Sequence, residues 1–383
     1  ASELSSVHPF GETCAEPLEV APFSDPRTHP SLSDSGSLHS RYDPQVWSIM
    51  DRGAAMEPIC RRVFDTARLV VDSPPRISNS RKRVVYEIAC PPGSIHAGEI
   101  SFTRWARRPL PVLLPTVDRL VSILAQPNFF DYLPSESDKP VVDWHLNFAH
   151  HDLFCAYGGP AFAQDEMQVA EHPALGSLRE ALLKAGDEPL TVERGEPTPI
   201  LITGVERRCR VAIDANVEQG RPDGLYGNRF SRAKPEAIAK ATTPIVPPTV
   251  SNLIAIEAPY GESGPYTPAQ IEFVLSTAYT AFAGATEEGQ KLQAGSGSVV
   301  HTGFWGCGAY GGNRELMAIL QLLAAKLAGV HGLVFHAGDE RGVETFERAR
   351  DRLLEFLGST SNVVELIARI AACGYEWGVG DGN

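Results

Sequence analysis

From about residue 140 onward, short apolar runs alternate with stretches of helical spacing, and this alternation constrains the fold more than any other feature of the chain. Trp144, Leu146 and Phe148 alternate with Asp143, His145 and Asn147, the period of two expected of a half-buried strand. Further apolar runs follow at Pro199 to Gly204, Cys209 to Ala215, Leu253 to Ala258, Ser298 to Gly303 and Gly332 to His336. Helical spacing lies at about 165–185, 268–283, 314–329, 341–357 and 361–372. Strands that alternate with helices bury a central sheet beneath them, so the fold class is α/β. Residues 217–250, rich in Pro, Gly and Asn, predict a long ligand-covering or insertion loop.

The chain before residue 136 reads differently. Residues 1–40 are rich in Ser, Pro, His and Asp and predict a flexible arm. Residues 41–135 predict a mainly helical accessory region. It has helical spacing around Val46, Met50, Met56, Ile59 and Val63, a short strand over Val84 to Ala89, and a helix over Leu113 to Ala125. Residues 136–383 are then expected to form the main α/β domain.

Composition excludes several classes. With 383 residues, 43% hydrophobic, the chain can bury a large core. A net charge of -13 argues against direct nucleic-acid binding, which needs clustered cations. The one basic run, Arg81-Lys82-Arg83, reads as a solvated face. Seven scattered cysteines lack CxxC or zinc spacing and read as reduced thiols of a cytoplasmic protein. No apolar run reaches about 18 residues, so no membrane span is expected, and no secretory leader is visible.

Two segments carry chemistry. Gln164-Asp165-Glu166 places adjacent carboxylates at a helix start, after a strand and a glycine turn. Hydrolysis of a glycosidic bond needs a proton for the leaving group and then an activated water, and one well-placed carboxyl supplies both in turn. Neighbours on a helix point about 100° apart, so Asp165 and Glu166 cannot share one role. Two acids at a helix start also suit the helix dipole with no catalytic purpose. The second segment is His301 to Asn313, in which Gly306, Gly308, Gly311 and Gly312 fall between a strand and a helix. Backbone N–H groups there suit an anion, although a tight turn packed under Trp305 accounts for the same glycines.

Together the two segments resemble the poly(ADP-ribose) glycohydrolases, whose catalytic core is a macrodomain. Asn147-Phe148-Ala149-His150 followed by Gln164-Asp165-Glu166 is similar in spacing to the family's strand end and its Gln-Glu-Glu motif. Thr302 to Gly312 is similar to the family's Thr-Gly-Asn-Trp-Gly-Cys-Gly-Ala-Phe-Gly-Gly, and Ile254 to Ala258 to its Val-Ala-Ile-Asp-Ala. The resemblance spans roughly residues 110–345. It implies a macrodomain-like mixed sheet flanked by helices, and Glu166 as the acid/base that cleaves a ribose–ribose bond. It further implies that Asp165 orients ribose hydroxyls, and that the substrate is held by Asn147, His150, Gln164, Tyr226, Phe230, Gly306, Cys307, Gly308, Ala309 and Tyr310. The partner implied is an ADP-ribose-containing substrate, whether polymer, ADP-ribosylated protein or small molecule, with no metal or other cofactor.

The chain departs from the family in places. The family's Gly-Gly-Gly is Phe154-Cys155-Ala156, its first Glu is Asp165, and Asn positions are His150 and Phe304. These changes open two alternatives: a glycohydrolase acting on a small NAD-derived metabolite through an N-glycosidic bond, or an ADP-ribose-binding macrodomain without catalysis. His145, His150 and His151 beside Asp152 admit a metal site, a ligand contact or no role.

Overall fold

The structure, a computed structural model, describes residues 57–116, 120, 122–260 and 262–381. Their elements run β1 (Cys60–Asp65), α1 (Thr66–Asp72), α2 (Ser80–Ala89), β2 (Glu99–Arg104), β3 (Ser122–Gln126), β4 (Val141–Phe148), α3 (Gln164–Glu171) and α4 (Ala174–Ala185). They continue through a two-stranded ribbon, β5 (Val192–Glu193) and β6 (Glu196–Pro197), to β7 (Ile200–Val211), α5 (Pro235–Ala241), β8 (Thr242–Ile256) and α6 (Pro268–Leu292). The last elements are β9 (Gly297–Gly303), α7 (Arg314–Ala328), β10 (Gly332–His336), α8 (Glu340–Ser359) and α9 (Val363–Ala372).

Eight strands form one mixed sheet in the order β1-β2-β7-β8-β4-β9-β10-β3. The five from β8 to β3 are parallel, and β7, β2 and β1 continue the sheet antiparallel. Helix α6 packs on β4, β7, β8 and β9, and α3 on β4 and β7. Strand β4 therefore lies in the middle of the sheet, and the half-buried expectation fails there. Trp144 and Leu146 are buried, but so are His145 and Asn147. A period of two cannot distinguish a solvated face from one covered by polar partners.

The expected strands and helices after residue 140 are present, except that the runs Pro199 to Gly204 and Cys209 to Ala215 are one strand, β7, and that the strand expected from Leu253 begins at Thr242. The helical stretch 165–185 is two helices, broken at His172-Pro173. Residues 217–250 are only partly loop, since they contain the 3₁₀ turn Gly227–Arg232, α5, and the start of β8. Pro235 at the first turn of α5 needs no N–H donor. Pro244, Pro247 and Pro248 lie on the part of β8 that pairs only with β7, so one edge is open to them.

Earlier in the chain, three expectations are corrected. Val84 to Ala89 belongs to α2, whose cap Asn79 accepts from the Arg81 and Lys82 amides. Among the described residues of Leu113 to Ala125 there is no helix: Pro115 interrupts it, and Ser122–Gln126 is a strand parallel to β10. The helical spacing at 45–72 resolves into β1 and the short α1, and its portion before Glu57 lies outside the described residues, as does the 1–40 arm.

Candidate active site

Parallel strands end on one side of a sheet, and a crevice outside their carboxyl ends is where ligands bind in such folds. Three neighbouring strands supply the site. The chain leaving β4 leads to α3 and the acid pair, that leaving β8 begins with Glu257, and that leaving β9 is the glycine segment.

The acid pair sits in the first turn of α3. Asp165 and Glu166 are 8% and 6% exposed, unusually deep for adjacent carboxylates. Glu166 Oε2 accepts the Ala163 N–H at 2.7 Å, and Asp165 Oδ1 accepts the Glu166 N–H at 2.8 Å. Burial, then the neighbouring Glu166 carboxyl, holds Asp165 well above the usual carboxylate range. Gln164 clamps the helix to the strand: Oε1 accepts the Phe148 N–H at 2.7 Å and Nε2 donates to the Leu146 carbonyl at 2.9 Å. Both ends of its amide are engaged by β4, which fixes the side chain and leaves one N–H and one lone pair unused.

Lys82 is the residue the sequence concealed. It is 3% exposed, not part of a solvated face. Its Nζ donates to the Ala156 and Tyr157 carbonyls at 3.2 and 2.7 Å. Burial lowers it to about 8, against the pull of Glu166 and then Asp165. The loop it grips is tied elsewhere too. The Gly158 carbonyl accepts from the Ser78 and Asn79 amides at 3.1 and 2.9 Å, and Arg179 holds Asp152 by two bonds of 2.6 and 2.8 Å. A Cβ on Gly158 would lie 2.2 Å from the Arg76 carbonyl oxygen, so only glycine fits that crossing. Phe154, where a glycine was expected, takes a φ of 61°. Its ring is buried in the core cluster with Leu153, Tyr157 and Leu175 rather than filling the ligand side.

In the glycine segment, Gly306 has a φ of 74°, and a Cβ there would stand 2.5 Å from Ala258 Cβ. Trp305 anchors the turn by donating from Nε1 to the Ile256 carbonyl at 3.1 Å, and the Gly312 N–H closes it onto the Gly306 carbonyl at 2.8 Å. Burial pushes the Cys307 thiol up to about 12. Ala309 is exposed. Residues 378–381 lie along this segment: Gly378 N–H donates to the Gly311 carbonyl at 2.7 Å, and Asp381 N–H to that of Gly308 at 3.3 Å.

Two tyrosines join the limbs. Tyr310 feels Glu257, Asp165 and Cys155 together, and burial raises its hydroxyl above the usual range. Tyr226 takes the Gln164 N–H on its hydroxyl, and is pushed up to about 12 by burial, then by Asp381, Asp165 and Glu166. Asp165, Glu166, Tyr226, His150, Gly308 and Tyr310 thus belong to one neighbourhood. Phe230 does not: it is fully buried and stacks on Phe162 at 3.8 Å, a packing residue in place of the expected ligand contact. Asn147 is also fully buried, and donates to Gln168 Oε1 at 2.9 Å, so it supports the inner side of the site.

The histidines divide. The His150 and His151 rings meet at a tilt with centroids 4.0 Å apart, whereas His145 is stacked between Tyr132 at 4.3 Å and His301 at 4.4 Å. Burial, then His301 and His336, drives His145 well below the usual range. His301 in turn contacts Asp143 at 3.1 Å and His336 at 3.2 Å. Among the described residues, no helix is long and apolar enough to cross a membrane. The six described cysteines are free of disulfides.

Residues 223–344 match the family model for the catalytic domain of poly(ADP-ribose) glycohydrolase, Macro domain fold. Among solved structures, one similar to this chain is the poly(ADP-ribose) glycohydrolase of Thermomonospora curvata bound to the inhibitor ADP-HPD. It is 17% identical, with 70% of this chain and 98% of that one covered and a TM-score of 0.42. The Deinococcus radiodurans poly(ADP-ribose) glycohydrolase in complex with ADP-ribose is 13% identical, covering 78% and 95%, with a TM-score of 0.35. An Oceanobacillus iheyensis macrodomain with MES bound is 15% identical, covering 61% and 91%, with a TM-score of 0.34.

Proposed function

We propose, from the match of residues 223–344 to the poly(ADP-ribose) glycohydrolase catalytic-domain model, that this chain is a divergent member of that family and a glycoside hydrolase acting on ADP-ribosyl substrates. The observation that carries this reading is the buried Asp165–Glu166 pair, set in one neighbourhood with Tyr226, Tyr310 and the glycine segment.

In this reading the backbone of Gly306 to Tyr310 holds the diphosphate through N–H groups, as the acidic net charge requires of an anion site. Glu166 protonates the leaving oxygen, stabilises the oxocarbenium-like state and then activates water. Asp165 keeps its proton because it is buried beside a second carboxyl, and so offers a donor to a ribose hydroxyl where a charged acid would only accept. Lys82 fixes the 154–159 loop and supplies the nearby positive charge that the pair needs once a proton has left. His150 borders the substrate from the β4 end.

The test is release of free ADP-ribose from ADP-ribose polymer, mono-ADP-ribosylated protein and NAD, with Glu166→Gln in parallel. Release that disappears in the variant supports the reading, and the substrate that responds defines the bond cleaved. Binding of ADP-ribose with no turnover on any of the three would reduce the protein to a binding module.

A further inference from the structure

A second set of donor atoms lies in the wall of the crevice, apart from the acid pair. His150, His151 and Glu257 each present one metal-ligating atom, and these atoms all lie within 4.8 Å of one another. They follow the paired ends of β4 and β8, where Phe148 and Ile256 are in register, so the sheet sets their spacing. Glu257 is 4% exposed, and its Oε1 is buried without a hydrogen-bond partner, 3.7 Å from His151 Nδ1. A buried carboxylate oxygen left without a donor is costly, and it is the atom a cation would satisfy. The carboxylate also faces the His151 amide and the Tyr310 hydroxyl, and burial pushes the group up to about 7.

Asp152, the acid next to the two histidines in sequence, is not available, because Arg179 binds both its oxygens. Glu257, about a hundred residues further on, takes that place. Around His150, the Asp152 N–H reaches Nδ1 at 3.2 Å, a long bond that a cation on that nitrogen would displace.

We infer that His150, His151 and Glu257 form a divalent-cation site that takes zinc in preference to magnesium. Two imidazoles and one carboxylate suit a borderline ion of tetrahedral habit, whereas magnesium demands an oxygen shell. Ligands on a tetrahedral zinc stand about 3.3 Å apart, so the side chains have to close by roughly an ångström or more. His151 is half exposed and free to do so. Three protein ligands leave a position open to water or to a ligand group. The site stands independently of the hydrolase reading, because it is measured without substrate.

The experiment is calorimetric titration of the full chain, free of any histidine tag and stripped with chelator, with zinc chloride and separately with magnesium chloride. Glu257→Gln and His151→Asn are titrated alongside, with circular dichroism verifying that each is folded. The expected result is one zinc per chain, with affinity weakened at least about ten-fold in each variant, and no comparable magnesium binding. Absence of stoichiometric zinc uptake, or uptake that both folded variants retain at full affinity, overturns the site. Magnesium binding tighter than zinc overturns its selectivity. Glu257→Gln is nearly isosteric, and His151→Asn changes a half-exposed side chain, so at least one variant remains interpretable.

Discussion

In the limb from 303 to 313, the working surface is backbone. Gly306 turns at a φ of 74° against Ala258, and the Cys307, Gly311 and Gly312 N–H groups donate to carbonyls of the same segment. In the limb from 148 to 166 the backbone is equally irregular, but distant side chains hold it: Lys82 grips two carbonyls, Arg179 grips Asp152, and Gln164 grips β4. The first limb keeps its shape only if glycines such as Gly306 stay glycines. The second tolerates Phe154 at a φ of 61°, because the ring is buried in the core and the loop's other ties fix the conformation. One limb stores its shape locally, and the other borrows it from residues 80 positions away in sequence, as where the Ser78 hydroxyl donates to the Gly158 carbonyl.

The contrast can be broken by experiment. The largest effect is expected in the side-chain limb. Glu166→Gln should lower turnover by about 10² to 10⁴, or roughly 3–5 kcal/mol of barrier, with ADP-ribose affinity nearly unchanged. An equal loss of binding would mean that Glu166 is part of the grip and not of the chemistry.

Next is Lys82. It titrates near 8 when folded and near 10.5 when free, so between those values the unfolded chain binds more protons and stability rises with pH. The gain from pH 7 to above 10 is on the order of 3 kcal/mol, and Lys82→Met should lack it. Urea midpoints of the two proteins that run parallel across this range would contradict the buried charge.

In the backbone limb, Gly306→Ala should cost about 1–3 kcal/mol, from positive φ and the collision with Ala258, and should weaken ADP-ribose binding with it. Unaltered binding and melting would show that the segment is not set by that glycine. The smallest effect is expected at Phe230→Leu, about 1 kcal/mol of stability with ligand affinity unchanged, because the ring stacks on Phe162 inside the core. A marked fall in affinity would return Phe230 to the ligand.

The same contrast decides what could be read in advance. Strands β4, β9 and β10 and helices α6 to α9 were legible because apolar period and length agree in each, whereas the β5–β6 ribbon, α5 and the first half of β8 were not. The glycine limb was legible for the same local reason: glycine spacing between strand and helix is written in a dozen consecutive residues. Glu257 and Lys82 were not legible. Lys82 lies in a basic run on an otherwise amphipathic helix, and only the path of the 154–159 loop reveals that carbonyls await it. Val84 to Ala89 misled because β-branched residues suit strands, while the decisive signal was Asn79 one turn earlier. Asn147 and Phe230 misled because resemblance assigns a residue to a site without saying which way its side chain points.

Gln164 carries one more implication. Its amide meets β4 as a peptide unit would, accepting from the Phe148 N–H and donating to the Leu146 C=O. The sheet thus gains an extra rung, made by a side chain, at the point where the helix begins. Any motion of β4 is transmitted to Asp165 and Glu166 without slack, so the mechanical tolerance of the acid pair is that of a central strand and not of a loop. Exchanging one atom group, NH₂ for oxygen in Gln164→Glu, would set two acceptors against each other at Leu146 and loosen that rung while leaving both acids in the sequence.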